Sequence, residues 1–157
     1  MCGCNQKAWA AGMVIEILQD EFDPWERLGR FQRETLQCRG QYGATAIFVG
    51  TMRDLNEGLP VETLLLEHYP QMSEKYLAHI GEAAHTRWDL LETLIVHRVG
   101  RLAPNDTIVL VAVWSAHRAE AFGACRYLIE ELKSRAPFWK KEQSGNAERW
   151  VTHNTPG

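Results

Sequence analysis

The chain has 157 residues, of which 45% are hydrophobic and 24% are charged, and its formal net charge is −3. This length suits one domain with its own core, and the composition is that of a globular protein rather than a disordered one. A slightly acidic chain gives no general reason to expect nucleic acid or an acidic membrane as partner, so an anion-binding site would need a local cluster of cations.

The sequence contains neither a spanning helix nor a secretory signal. No apolar run reaches 18 residues, and Glu16 interrupts the apolar stretch near the N-terminus. We therefore expect a cytoplasmic protein. Cys2 and Cys4 are compatible with half of a metal site, but no second cysteine pair and no spaced histidine pair completes a zinc set. We expect a loose N-terminal segment over 1–12 with incidental thiols, and Cys125 as a small core residue.

The first predicted elements are a short strand over Val14 to Leu18 and a helix that begins at Asp23-Pro24. Asp caps helices well and Pro suits the first helical turn. The β-rich run Ala44 to Val49 predicts a second strand, and a polar loop over 55–60 follows it. The predicted apolar stripe of the first helix comprises Trp25, Leu28, Phe31 and Leu36.

The middle of the chain predicts a strand over Val61 to Tyr69, which Pro70 ends. A second helix then opens at Ser73, with its apolar residues at helical spacing. A strand over Leu94 to Val99 and a turn follow. The most apolar run of the sequence, Thr107 to Trp114, is predicted to be a central strand of the sheet.

The third predicted helix begins at His117-Arg118 and ends at Pro137. Two short strands, Phe138 to Lys141 and Glu148 to Thr152, complete the chain. Helices and strands mix without alternating one for one, which favours a single α+β domain: an α/β sandwich with about three helices on one side of a mostly antiparallel sheet. The predicted apolar stripe of the third helix comprises Phe122, Cys125, Leu128, Ile129 and Leu132.

Positive charge concentrates around the end of this third helix, in the stretch LKSRAPFWKKE (132–142). Lys133 lies in the last turn between apolar neighbours. An amine held against an apolar wall is desolvated and loses its proton more easily, which is how a lysine becomes a base or a nucleophile. Arg135 is interpreted as a helix-end charge that complements the helix dipole.

Extended chain after Pro137 places the remaining two lysines differently. Alternation along a strand puts Phe138 and Lys140 on one face, and Trp139 and Lys141 on the other. Only one of these two lysines can therefore share a face with Lys133.

Three further cations and two histidines complete the set of candidates. His117 and Arg118 begin a helix, where cations oppose the dipole, so they are either part of an anion site or simply solvated. Arg53 opens a loop at a strand end, where both function and plain surface are common. His68 and His97 lie in strands and are interpreted as structural. Together these residues predict an anion pocket for a phosphorylated or carboxylate-bearing small molecule.

Six stretches, in order and with their spacing, resemble the family of the large catalytic subunit of molybdopterin synthase, and the resemblance covers roughly residues 43–151. The stretches are FVGTMRDLNEG (48–58), LEHYPQMSEK (66–75), IVHRVGRLAPNDTIVLVAV (95–113), SAHRAEAF (115–122), LKSRAPFWKKE (132–142) and ERWV (148–151). Cys2 and Cys4 are not part of the pattern.

The resemblance implies an α/β hammerhead-like fold and a sulfurtransferase activity. The family converts cyclic pyranopterin monophosphate into molybdopterin by inserting two sulfurs as a dithiolene. The sulfur comes from a small ubiquitin-like subunit whose C-terminal Gly-Gly ends in a thiocarboxylate. Two large subunits form a homodimer, and a small subunit on each outer end gives a heterotetramer. The reaction needs no metal and no organic cofactor, because the sulfur arrives already activated.

The resemblance also implies roles for individual residues. Lys133 matches the family's essential lysine beside the incoming glycine terminus, and Lys140 matches a second pocket lysine, so we expect both to be catalytic. The family pocket is completed across the dimer interface, so some residues are expected to serve the neighbouring subunit. The implied substrate-binding positions are Thr51, Met52, Arg53, His117, Arg118, Lys133, Lys140, Lys141 and Glu142.

The sequence is also compatible with two other functions. A nucleic-acid-binding module would use Phe138 and Trp139 as stacking platforms, although the acidic net charge and the single short basic patch count against it. A non-catalytic scaffold would keep the fold and bind a ubiquitin-like partner, although the presence of every pocket cation counts against that.

Overall fold

The computed structural model describes residues 7–8 and 12–152, which fold into two main sheets, a small hairpin and three helices. The five-stranded sheet has the order β1-β2-β7-β9-β3, the four-stranded sheet has the order β11-β10-β6-β8, and β4 pairs with β5. The elements are β1 (Lys7–Ala8), β2 (Met13–Leu18), α1 (Pro24–Glu34), β3 (Ala44–Thr51), β4 (Leu55–Asn56), β5 (Leu59–Pro60), β6 (Thr63–His68), α2 (Pro70–Arg87), β7 (Leu90–Arg98), β8 (Gly100–Leu102), β9 (Thr107–Ser115), α3 (Arg118–Arg135), β10 (Phe138–Ser144) and β11 (Ala147–Trp150).

The five-stranded sheet is buried on both faces. Alternate residues of β7 and β9 point to opposite sides, so Ile95 and Val111 pack with α2 and α3, whereas Leu94 and Trp114 pack with α1. The Phe31 ring of α1 lies 5.1 Å from the ring of Trp114, measured between centroids. The prediction of helices on one side is therefore wrong, because β7 and β9 are buried at nearly every position and so need cover on both faces.

The mixed, mostly antiparallel architecture with three helices is confirmed, but its strands divide between two sheets rather than forming one. Within the described residues, β2 and β7 form the parallel pair, and the other strand pairs are antiparallel. The predicted central strand is the interior strand β9, which pairs with β7 and β3. None of the three helices in this part of the chain has the length and apolar content needed to span a membrane.

Two local predictions differ from the structure for reasons of backbone geometry. The α2 helix begins at Pro70 rather than at Ser73, because a proline at the first helical position needs no N–H partner and has a suitable φ. The predicted loop over 55–60 is the hairpin β4–β5. Glu57 and Gly58 form its turn with φ of 52° and 76°, the positive values that a tight two-residue hairpin turn requires.

Two aromatic residues predicted on helical stripes lie at the surface. Trp25 of α1 is 63% exposed and Phe122 of α3 is 68% exposed. The residues that these helices bury include Arg27 and Leu28 in α1 and Ala121 in α3. Cys125 is a buried free thiol, as predicted.

The expected loose segment over 1–12 lies largely outside the described residues, as do Cys2 and Cys4. The backbone of Lys7–Ala8 pairs antiparallel with Val14 and Ile15, which adds a short edge strand to the sheet.

A buried ion pair joins α1 to the sheet. Arg27 and Glu16 are 4% and 2% exposed, and their side chains form a two-pronged contact in which Arg27 Nε donates to Glu16 Oε2 at 2.8 Å. A planar guanidinium suits a carboxylate in this geometry, which offsets part of the cost of burying both charges.

We expect Arg27→Met to lower the free energy of unfolding by about 3 kcal/mol, because it leaves the Glu16 carboxylate buried without its guanidinium. Urea denaturation followed by tryptophan fluorescence measures this loss. Arg30→Met on the exposed face of the same helix is the matched control. A loss for Arg27→Met no larger than that of the control would contradict the assignment.

Candidate functional site

A cavity of about 270 Å³ lies where the end of α3 meets β3, β10 and the β4–β5 hairpin. Its size falls near the lower end of small-molecule sites, which are about 300–1,000 Å³. One wall is apolar, with Leu64, Ile108, Ile129, Leu132 and Phe138. The polar residues that line the cavity include Arg53, Asn56, His97, Lys133, Lys140 and Glu142.

The end of α3 brings two lysines to this cavity. Ala136 precedes Pro137 and adopts extended φ and ψ of −63° and 141°, because the proline ring disfavours the helical conformation of the residue before it. The backbone N–H of Phe138 then donates to the Ala136 carbonyl at 2.8 Å, which turns the chain sharply. Strand β10 returns along β6, so Lys140 lines the same cavity as Lys133.

The electrostatics of the two lysines differ. Burial lowers the pKa of Lys140, the positive charge of Lys133 lowers it further, and the Glu142 carboxylate partly opposes both effects. Lys133 is exposed, with its Nζ 5.7 Å from the centroid of the Phe48 ring. The prediction that Lys133 is the desolvated amine is therefore wrong, since Lys133 is exposed and Lys140 is the partly buried lysine of the cavity.

Glu142 connects the cavity to the hairpin. Its carboxylate accepts hydrogen bonds from Asn56 Nδ2 at 2.6 Å and from Arg149 Nη2 at 2.8 Å. Arg149 also donates to Glu57 in the hairpin turn at 3.0 Å. Both Glu142 oxygens are thus engaged, so this residue places a fixed negative charge near Lys140 and holds the hairpin against the cavity.

His97 is the cavity residue whose position the sequence did not reveal. The side chain is 8% exposed, its Nδ1 donates to the Arg98 carbonyl at 2.8 Å, and its ring stacks on Phe138 with centroids 4.1 Å apart and planes 4° apart. Burial lowers the pKa of His97 to about 4, and the nearby charge of Lys140 acts in the same direction. A histidine inside the mostly apolar predicted strand Leu94 to Val99 is the sequence signal, but alternation alone does not show which face of a strand meets a cavity.

The predicted alternation along β10 agrees with the structure. Phe138 and Lys140 line the cavity, whereas Trp139 and Lys141 lie on the other face. Lys141 forms an ion pair with Glu148 and lies outside the cavity.

Two predicted substrate-binding residues lie far from the cavity of their own chain. His117 occupies the N-cap position of α3 without a side-chain capping hydrogen bond, Arg118 is the first helical residue, and both are exposed. Lys133 lies about 22 Å further along the same helix, given a rise of 1.5 Å per residue. The predicted site residues that do line the cavity are Thr51, Met52, Arg53, Lys133, Lys140 and Glu142.

The cavity offers cations, neutral polar groups and the carboxylate of Glu142 rather than a metal-binding set. Within residues 12–152, the His, Cys, Asp and Glu side chains form no group of three or more that could hold a metal ion. Arg53, Lys133 and Lys140 instead favour an anionic ligand, since all three are hydrogen-bond donors that carry positive charge.

Residues 19–135 match the family model described as MoaE protein. A molybdopterin synthase catalytic subunit from Ralstonia nicotianae is 58% identical over 138 residues, which are 88% of this chain and 76% of that protein. A molybdopterin biosynthesis MoaE protein from Burkholderia ambifaria MC40-6 superposes with a TM-score of 0.73 at 43% identity, covering 91% of each chain. A protein–protein complex of subunits 1 and 2 of molybdopterin-converting factor from Helicobacter pylori 26695 has a TM-score of 0.72 over 88% of this chain and 90% of that chain, and its 22% identity shows a shared fold alone.

The lowered pKa of His97 predicts a loss of stability in acid. The unfolded chain binds a proton on this residue near pH 6.5, whereas the folded chain binds it only near pH 4. The contribution of neutral His97 to the free energy of unfolding is therefore fully present above pH 6.5, and it decreases by roughly 3 kcal/mol as the pH falls to 4. In His97→Phe this part of the decrease should vanish, which urea denaturation at several pH values measures, with the exposed His79→Phe as control. Equal pH slopes for wild type and His97→Phe would contradict the prediction.

Proposed function

The chain belongs to the MoaE family and is thus an enzyme subunit of molybdenum cofactor biosynthesis, and we propose that it transfers sulfur to cyclic pyranopterin monophosphate to form the dithiolene of molybdopterin. The sulfur donor is a small ubiquitin-like subunit with a C-terminal Gly-Gly thiocarboxylate. The observation that carries this proposal is the convergence of Lys133, Lys140 and Arg53 on one cavity of small-molecule size.

The two lysines suit different parts of this reaction. In each transfer the thiocarboxylate sulfur forms a bond to a carbon of the pyranopterin as a carbon–oxygen bond of that carbon breaks, and the oxygen leaves as water or as part of the phosphate. Water then cleaves the acyl–sulfur bond, which leaves the sulfur on the pterin and returns the small subunit with a carboxylate. Lys133 is exposed at the rim, where its ammonium can pair with the incoming glycine terminus. The pKa of the Lys140 amine is lowered by burial, so this amine gives up its proton more readily than an ordinary lysine and suits proton exchange during the transfer.

The phosphate of the substrate requires a separate cationic contact. Arg53 lies at the end of β3 and lines the cavity, where its guanidinium can form charge-assisted, two-pronged hydrogen bonds to phosphate oxygens. Thr51 and Met52 form the adjoining wall, and the Met52 backbone is fixed by hydrogen bonds with Asn105 and Asp106.

The position of His117 and Arg118 supports a site shared between subunits. They lie about 22 Å along α3 from Lys133, so they can contribute to substrate binding only in the cavity of another copy of the chain. A homodimer with one small subunit on each outer end, a heterotetramer, satisfies this requirement. The fold shared with the Helicobacter pylori complex is consistent with such a partner.

The alternative function, nucleic-acid binding, would use Phe138 and Trp139 to stack bases, and Phe138 is not available for this. Phe138 lies against the ring of His97 within the protein, so its face is already occupied. Trp139 is 42% exposed but contacts Tyr69 edge-on at 5.2 Å between centroids.

We expect Lys133→Ala to lower molybdopterin formation by at least about 100-fold. The substitution removes the ammonium that pairs with the glycine terminus of the small subunit while the sulfur is transferred. The assay combines the purified protein, the thiocarboxylated small subunit and cyclic pyranopterin monophosphate. Arg135→Ala, two positions further on and outside the cavity, is the control and should keep most of the activity. Full activity of Lys133→Ala, with small-subunit binding intact, would refute the proposed role.

We also expect two inactive variants to complement each other. Mixing Lys133→Ala with Arg118→Ala should give heterodimers in which one of the two sites has both residues. Because random pairing makes half of the dimers heterodimers, about a quarter of the wild-type activity should return. Mixtures that remain as inactive as the separate variants, despite subunit exchange shown by native mass spectrometry, would contradict a shared site.

A further inference from the structure

The charged side chains of the cavity supply hydrogen-bond donors but few acceptors. Arg53 and the ammonium forms of Lys133 and Lys140 donate and cannot accept. Glu142 has both carboxylate oxygens engaged, one by Asn56 and the other by Arg149. A pterin ring carries N–H groups as well as acceptors, so the cavity needs an acceptor of its own to bind it in one orientation.

His97 can provide this hydrogen-bond acceptor. A carbonyl oxygen only accepts, so the contact with Arg98 means that Nδ1 carries the proton and donates. In the neutral ring Nε2 then holds a lone pair. The ring lines the cavity, and it is held in one plane by its parallel stack on Phe138.

We propose that His97 binds the substrate directly, with Nε2 accepting a hydrogen bond from an N–H group of the pterin ring. This inference rests on the proposed function, because it specifies how that site recognises the ring rather than the phosphate. The ring of His97 cannot rotate without losing both its Arg98 contact and its stack, so the acceptor is preorganised.

The surroundings of His97 keep it an acceptor at neutral pH. Burial lowers its pKa to about 4, and the charges of Lys140 and His68 add to this effect, while the Arg98 carbonyl opposes it. His97 is therefore neutral throughout the range in which the enzyme would be assayed. A protonated ring would instead have no lone pair to offer.

Two substitutions separate the acceptor from the ring stack. His97→Phe keeps an aromatic ring against Phe138 but has no acceptor, whereas His97→Gln loses the ring and places an amide oxygen near the position of Nε2. Titration calorimetry with cyclic pyranopterin monophosphate alone measures binding, and the complete assay with thiocarboxylated small subunit measures KM and kcat.

We expect His97→Phe to weaken pterin binding and raise KM by about 10-fold, the usual effect of one lost hydrogen bond to a polar partner. His97→Gln should stay within about 3-fold of wild type. The ratio of the KM of His97→Phe to the KM of wild type should be constant between about pH 6 and 9, since His97 does not titrate there. The reverse order, with Phe near wild type and Gln weak, would show that only the stack matters and overturn the inference.

Folding and the proposed function need separate controls. If His97→Phe does not fold, His97→Asn replaces it, because its amide can still donate to Arg98 but does not reach the Nε2 position. The exposed His79→Phe should bind the pterin as wild type does. Pterin binding without turnover in wild type would refute the sulfur transfer while still testing His97, whereas no pterin binding by wild type would refute both.

Discussion

The break between α3 and β10 is the constraint on which the candidate site depends. Pro137 prevents Ala136 from remaining helical, and the chain reverses within two residues. The returning strand pairs with β6, with Lys140 opposite Leu66. Without that reversal the lysine at the helix end and the lysine of the strand would diverge, and no shared cavity would form.

This geometry has an electrostatic consequence. Two like charges near one cavity raise the free energy of the doubly charged state, and burial adds to the cost for the less exposed one. The pKa of Lys140 is lowered for both reasons. Glu142 limits the effect, and the neutral His97 adds no third charge. The cavity therefore combines an amine that can exchange protons with cations that attract an anionic ligand.

The rest of the fold holds these groups in place from two sides. The five-stranded sheet is covered by α1 on one face and by α2 and α3 on the other, which fixes the axis of α3 and so the position of its last turn. The four-stranded sheet and the β4–β5 hairpin close the cavity from the opposite side, and Arg149 joins them through Glu142 and Glu57. The site thus lies between two sheets whose strands interleave along the chain.

The sequence by itself determined the local features: three helices, the helix stop at Pro137, and the alternation that places Lys140 rather than Lys141 beside Phe138. These follow from proline sterics and strand periodicity, which act over a few residues. Only the tertiary structure decided that Lys140 rather than Lys133 is the partly buried lysine, that His97 lines the cavity, and that α1 covers the second face of the sheet. Burial and charge proximity depend on segments far apart in the chain, and no local pattern encodes which of them meet.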